Sequence, residues 1–186
     1  MILYHATTET KGKKILDDGF IKINLPSSFN DVPKESYINQ NDYFNFESEK
    51  GYVYFSTRLS KAYDTIKATV GNNDGYIMIF KLNIPEDLLL PDFHEAKVQR
   101  CEISNLNESL TKCFSTRVNF DVDLKKYNAE YTQILSIHNR NEVHLDKPKE
   151  TFTYIIDWVK DSHKEFLSDI KEKEIEFEKK LKWIKY

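Results

Sequence analysis

Several features that define other protein classes are missing from this sequence of 186 residues. It has no run of about 18 apolar residues, so we expect no membrane-spanning helix. Residues 1–20 lack the basic start and continuous apolar segment of a secretory signal, because Lys11, Lys13 and Lys14 interrupt them. We therefore expect a soluble cytoplasmic protein.

Cysteine, positive charge and the common cofactor motifs are also scarce. The two cysteines, Cys101 and Cys113, do not have a metal-binding spacing, and we expect free thiols. No second histidine follows His94 at helical spacing, so we expect no metal. The formal net charge of -3 provides no global basic field for nucleic acid. Neither a GxGxxG turn nor a P-loop is present.

What the sequence does contain is typical of a folded domain, with 40% hydrophobic and 13% aromatic residues. We predict one domain over residues 1–147 and a helical extension over residues 148–186, which packs on or beside it. Lys147 and Pro148 mark the boundary. Alternating charges and spaced apolar positions predict helix from residue 151 to the end.

The hydrophobic pattern predicts an α+β order of elements. Residues 2–4 form a short strand, followed by a helix that Thr7 or Thr8 begins and Gly19 ends. Residues 21–50 have no hydrophobic periodicity, which predicts a long loop, and a long loop inside a compact domain is more often functional than not. Further strands are predicted at residues 52–55, 76–84 and 127–137, with a helix after the first of these.

Three residues in these strands could carry chemistry: His5, Tyr54 and Glu130. A histidine at a strand end, a tyrosine in an apolar strand and a carboxylate at a strand start are each more often structural than catalytic. Separately, none of them indicates an active site.

The order of their motifs resembles the ADP-ribosyltransferase superfamily, in its diphtheria-toxin-like and poly(ADP-ribose) polymerase-like branch, which carries a His-Tyr-Glu triad. LYHATT is similar to the family's first strand end, GYVYFSTRLSKAYDT to its second motif, and YNAEYTQI to the segment with the glutamate. The resemblance covers residues 2–145. It implies two small, packed, mainly antiparallel sheets around an NAD cleft, with the C-terminal helices as an extension.

The resemblance also implies roles for particular residues, with NAD as co-substrate. His5 would bond the adenine-side ribose, the backbone of Ala6 would hold the nicotinamide amide, and Glu130 would bond the nicotinamide ribose. Tyr54 and Tyr63 would stack on the nicotinamide ring. The implied catalytic residues are Glu130, His5 and Tyr54, and the implied NAD-binding residues are His5, Ala6, Thr7, Tyr54, Phe55, Ser56 and Tyr63.

The sequence departs from the family pattern at several positions. Ala6 replaces the usual glycine, and Ala62 replaces a serine that contacts nicotinamide in some relatives. Asn128, two residues before Glu130, is neither the Gln nor the Glu that marks several toxin subclasses. The class of acceptor can therefore not be predicted from this position. The family's second aromatic ring aligns nearer Thr65 than Tyr63, which leaves the residue facing nicotinamide open.

The resulting functional hypothesis is a mono-ADP-ribosyltransferase that modifies a macromolecule, as a toxin of a toxin-antitoxin or phage-defence system. The weak net charge favours a protein acceptor over RNA or DNA. The aromatic C-terminal helices could dock an antitoxin or inhibitor. Two alternatives stay open: a non-enzymatic NAD- or partner-binding relative, and an RNA 2'-phosphotransferase-like enzyme, which expects a histidine at Tyr54 and several arginines.

Overall fold

The computed structural model describes residues 1–23, 51–67, 76–135 and 167–186. Most of the predicted loop at residues 21–50 and the predicted domain boundary at residues 147–148 lie outside the described residues.

One large antiparallel sheet organises the fold, which is mixed α and β. The strands are β1 (Ile2–Thr8), β2 (Phe20–Ile21), β3 (Val53–Ser56), β4 (Tyr76–Asn83), β5 (Leu90–Pro91), β6 (Ser115–Val118), β7 (Val122–Asp123), β8 (Glu130–Leu135) and β9 (Ile184–Lys185). The large sheet has the order β5-β6-β3-β1-β4-β8-β9, and β2 and β7 pair separately. The prediction of a mainly antiparallel α+β fold is confirmed, but among the described residues one sheet has seven strands and the other two, instead of the two small sheets predicted.

Short helices connect these strands. Among the described residues they are α1 (Glu9–Asp18), α2 (Leu59–Lys67), a 3-10 helix (Glu86–Leu88), α3 (Phe93–Val98), α4 (Leu106–Glu108), a π-helix (Ser109–Cys113) and α5 (Leu167–Lys180). Thr8 caps α1 by accepting a hydrogen bond from the Lys11 N–H at 3.3 Å, and Gly19 ends it with a left-handed φ of 75°. Both predicted caps are confirmed. None of the described helices is long and apolar enough to cross a membrane.

Apolar side chains cover both faces of the large sheet, because successive strand residues point to opposite sides. One core contains Leu3, Phe55 and Phe80, with α1 packed against it. The other contains Tyr4 and Ile79 of the sheet, together with side chains of α2 and α5. The sheet is therefore the central layer that positions α2 and α5 on one side.

The sequence predicted a helix that continues to the end of the chain, and this prediction is wrong for the last residues. Helix α5 ends at Lys180, and Ile184 and Lys185 pair with the edge of β8. A strand of two residues has no periodicity of its own, so its apolar residue reads as part of the preceding helical pattern. The end of the chain is thereby a strand of the main sheet.

Candidate functional site

A cavity of about 280 Å³ lies where β1 and β3 separate. The two strands share a single register pair, Tyr4 with Ser56, and the residues that follow on β1 and precede on β3 line the cavity. Helices α2 and α3 close its other sides. The lining residues are Tyr4, His5, Ala6, Tyr54, Phe55, Ser56, Lys61, Ala62, Thr65, Asp92, His94, Glu95 and Ser115.

His5 bridges the gap between the separating strands. Its Nδ1–H donates to the Tyr54 carbonyl at 2.9 Å, and its ring meets Phe55 edge-on at a centroid distance of 5.8 Å. A carbonyl only accepts, so Nδ1 carries the hydrogen and Nε2 is the acceptor of the neutral ring. Burial lowers the pKa of His5 below its usual value. A neutral imidazole with an acceptor nitrogen suits binding of a hydroxyl group.

Aromatic rings form one wall of the cavity. The Tyr54 ring lies 6.5 Å from the His94 ring and 6.3 Å from the Tyr52 ring, with interplanar angles of 58° and 57°. The guanidinium of Arg117 lies 4.0 Å from the centre of the Tyr52 ring. These contacts fix an aromatic surface against which a flat ring can pack.

Helix α2 gives the cavity Lys61, Ala62 and Thr65, but not Tyr63. Tyr63 is fully buried in the core between α2 and the sheet, at 0% exposure. Its predicted stacking on nicotinamide is therefore not what this arrangement offers, because the helix turns that ring inward with Leu59. Of the two residues that the sequence left open, Thr65 lines the cavity and Tyr63 does not.

Helix α3 and the residue before it supply side chains that the sequence analysis did not assign to a site, namely Asp92, His94 and Glu95. Asp92 is 2% exposed and caps α3 by accepting from the Glu95 N–H at 2.9 Å. Burial raises the pKa of Asp92. The Asp-x-x-Glu spacing is a helix-start signal, but nothing local shows that this helix faces the cavity.

Two further predicted site residues, in addition to Tyr63, do not line the cavity. Thr7 is buried opposite Met78 and does not line the cavity. Glu130 lies on β8, which is separated from β1 by β4, and its carboxylate binds Lys81 at 2.7 Å. The structure therefore brings His5 and Tyr54 to one cavity and leaves Glu130 outside its lining.

Comparison of the chain with known protein-family models and with curated protein sequences gives no match. The likeness to ADP-ribosyltransferases is therefore a resemblance of sequence motifs. Within the described ranges, no group of three His, Cys, Asp or Glu side chains is arranged to hold a metal ion. The cavity combines an aromatic wall, a neutral histidine and carboxylates, and this set can bind a flat heteroaromatic ring attached to a sugar.

Proposed function

We propose that the protein is a mono-ADP-ribosyltransferase that transfers ADP-ribose from NAD to a macromolecular acceptor and releases nicotinamide. The observation that carries this proposal is the shared cavity of His5, Ala6, Tyr54, Phe55 and Ser56. These are five of the seven residues for which the resemblance implies NAD binding. They come from two strands that are distant in the sequence.

The dimensions and the polar groups of the cavity suit one half of the dinucleotide. Ligand pockets usually have volumes of about 300–1,000 Å³, and the value of about 280 Å³ found here lies at the lower limit. Nicotinamide packed against Tyr54 would occupy the aromatic end. The Nε2 atom of His5 would accept a hydrogen bond from a ribose hydroxyl.

The chemistry of this transfer requires a carboxylate at the ribose. Breaking the bond between ribose and nicotinamide produces positive charge on the sugar, which an oriented carboxylate stabilises in the transition state. The cavity has this type of group in Asp92 and Glu95. A carboxylate of the kind that this transition state needs is therefore present in the cavity lining.

The test measures nicotinamide release from NAD by the purified protein, compared with Tyr54→Ala and Tyr76→Ala. Tyr76 is a matched control, since it lies 40% exposed on β4 and does not line the cavity. We expect Tyr54→Ala to reduce release about fivefold or more, because it removes the ring surface, worth about 1 kcal/mol or more. Equal rates for the two variants would contradict the proposal.

Labelled NAD supplied with separate pools of protein, RNA and DNA identifies the acceptor. We expect label in protein, because the net charge of -3 does not favour nucleic acid, and label in RNA or DNA alone would reverse that expectation.

A toxin role predicts growth arrest on expression, which an antitoxin would relieve.

A non-enzymatic binding module is the second candidate, because the predicted catalytic Glu130 does not line the cavity. This candidate predicts saturable NAD binding in a calorimeter with no release of nicotinamide. The proposed transferase predicts both binding and release, so the two measurements together separate the candidates.

A further inference from the structure

We propose that Glu95, in place of Glu130, is the catalytic carboxylate of this cavity, and that Lys61 is its positioning residue. This inference rests on the proposed function. It changes the triad implied by the sequence, because the glutamate comes from helix α3 and not from a strand.

Glu95 has the location that this role requires. Its side chain is 15% exposed and lines the same cavity as His5 and Tyr54. Gln99 Nε2 donates to Glu95 Oε1 at 2.7 Å, and Lys61 Nζ forms an ion pair with the same oxygen. Within the described part of the chain, Oε2 accepts no hydrogen bond. One oxygen is therefore fixed by the protein, and the other remains for a ribose hydroxyl or an acceptor proton.

The elements that carry this ion pair are themselves anchored. Lys61 projects from α2 and Glu95 from α3, so the pair connects two helices at the cavity. Asp92 caps the start of α3, and its backbone N–H donates to the Ser109 Oγ at 2.9 Å. A carboxylate held on both sides in this way loses little freedom when a ligand binds.

The other two carboxylates are less suitable. Asp92 is 2% exposed and already serves as the cap of α3. Glu130 does not line the cavity and lies two strands away from β1, which is about 10 Å at usual strand spacing. Its ion pair with Lys81, at 2.7 Å, joins β8 to β4 rather than to a helix of the cavity. Trp183 packs on the same lysine, with 4.3 Å between Lys81 Nζ and the ring centre. Trp183 therefore packs beside the ion pair of Glu130 with Lys81.

The step assigned to Glu95 is a glycosyl transfer. The bond between ribose C1′ and the nicotinamide nitrogen breaks, and its electron pair leaves with neutral nicotinamide. A lone pair of the acceptor forms the new bond to C1′, and the acceptor proton passes to the Glu95 carboxylate and then to water. NAD and acceptor thus give ADP-ribosylated acceptor, nicotinamide and one proton, with no oxidant or metal required.

The experiment compares Glu95→Gln, Glu130→Gln and Glu102→Gln for nicotinamide release and for NAD affinity. Glu102 is an exposed glutamate outside the cavity and serves as the matched control. We expect Glu95→Gln to lower kcat by about 100-fold or more, with the Kd for NAD within about threefold of wild type, because glutamine keeps the shape and loses the charge. Glu95→Asp, which keeps a carboxylate, should be more active than Glu95→Gln.

Wild-type rates in Glu95→Gln, or a larger loss in Glu130→Gln than in Glu95→Gln, would overturn the assignment while leaving the proposed function intact. No nicotinamide release by the wild-type protein with any acceptor pool would instead overturn the proposed function itself, and the assignment with it. Thermal unfolding of each variant shows whether a lost rate reflects lost folding.

Lys61 gives a second readout that a purely structural role would not produce. We expect Lys61→Met to lower kcat more than it raises KM, because the carboxylate is no longer oriented, and Lys61→Arg to recover part of the rate. Equal loss in Lys61→Met and Lys61→Arg, or a change confined to KM, would overturn the positioning role.

Discussion

His5 joins β1 to β3 by a side-chain hydrogen bond where the backbone pairing of the two strands stops. Beyond Tyr4, the described part of β3 offers β1 no further register pair, and the imidazole bonds the Tyr54 carbonyl across the gap at 2.9 Å. A buried carbonyl without a partner would destabilise the fold by about 1–3 kcal/mol. The same ring therefore stabilises the fold and presents its second nitrogen to the cavity.

This dual role predicts a pH dependence of stability. Burial holds the pKa of His5 below its unfolded value of about 6.5, so the unfolded chain binds more protons below that pH. The free energy of unfolding therefore rises with pH through this window and falls as the pH drops below about 6.5, by up to about 1.4 kcal/mol per pH unit from this group. Urea unfolding at pH 5.0 and 7.5 measures the effect.

The matched variant for this prediction is His5→Gln, whose amide N–H can still donate to the Tyr54 carbonyl. Since glutamine does not titrate, its loss of stability on acidification should be smaller than that of the wild type. An equal loss in both proteins would mean that His5 does not cause the dependence.

At the scale of elements, one glutamate of α5 fastens that helix to the start of α2. Glu174 accepts hydrogen bonds from Arg58 Nε at 3.0 Å, from Arg58 Nη2 at 2.7 Å and from the Ser60 N–H at 2.6 Å. The glutamate side chain is 8% exposed. Its carboxylate thus serves as an N-terminal cap for α2 and as the partner of a partly buried arginine.

Removing this carboxylate should be costly. We expect Glu174→Ala to lower the free energy of unfolding by about 3 kcal/mol, because Arg58 keeps its charge in a partly buried position without its partner. Glu172→Ala on the exposed side of the same helix should change it by less than about 0.5 kcal/mol. Urea unfolding of both variants tests this, and a similar small change in both would contradict the role of Glu174.

Elements with strong local signals could be predicted from the sequence, and contacts between elements could not. The Thr8 and Gly19 caps and strand β4 follow from residues that are close in the chain. The ion pair of Lys61 with Glu95 joins residues 34 positions apart, and no local pattern encodes their meeting. The phase of α2, which buries Tyr63 and turns Thr65 to the cavity, likewise depends on packing against the sheet.

At the scale of the whole molecule, the C-terminal segment is part of the main fold. Phe177 of α5 joins the core that contains Tyr4 and Ile79, and β9 extends the large sheet. Trp183 lies 6.4 Å from the Tyr4 ring. Residues 167–186, the described part of the predicted extension, therefore share a core with residues of the predicted domain, and we expect the extension and the domain to unfold together.

Tryptophan fluorescence tests this expectation in a Trp158→Phe variant, in which Trp183 is the remaining tryptophan. The urea midpoint from its fluorescence should coincide with the midpoint from far-UV circular dichroism, as in a two-state transition. A fluorescence transition at clearly lower urea would show an extension that unfolds separately.

The hydrogen bond of His5 with Tyr54 also has a consequence for the speed of folding. It joins residues 49 positions apart, and the clamp of Arg58 with Glu174 joins residues 116 positions apart. Contacts between residues so far apart stabilise the chain only after long loops have closed, and closing a loop costs entropy. Sheets with such contacts therefore fold slowly, in about milliseconds to seconds. The cavity is lined by residues of both β1 and β3, which come together only when the loop between them has closed. The ability to bind a ligand should therefore appear late during refolding.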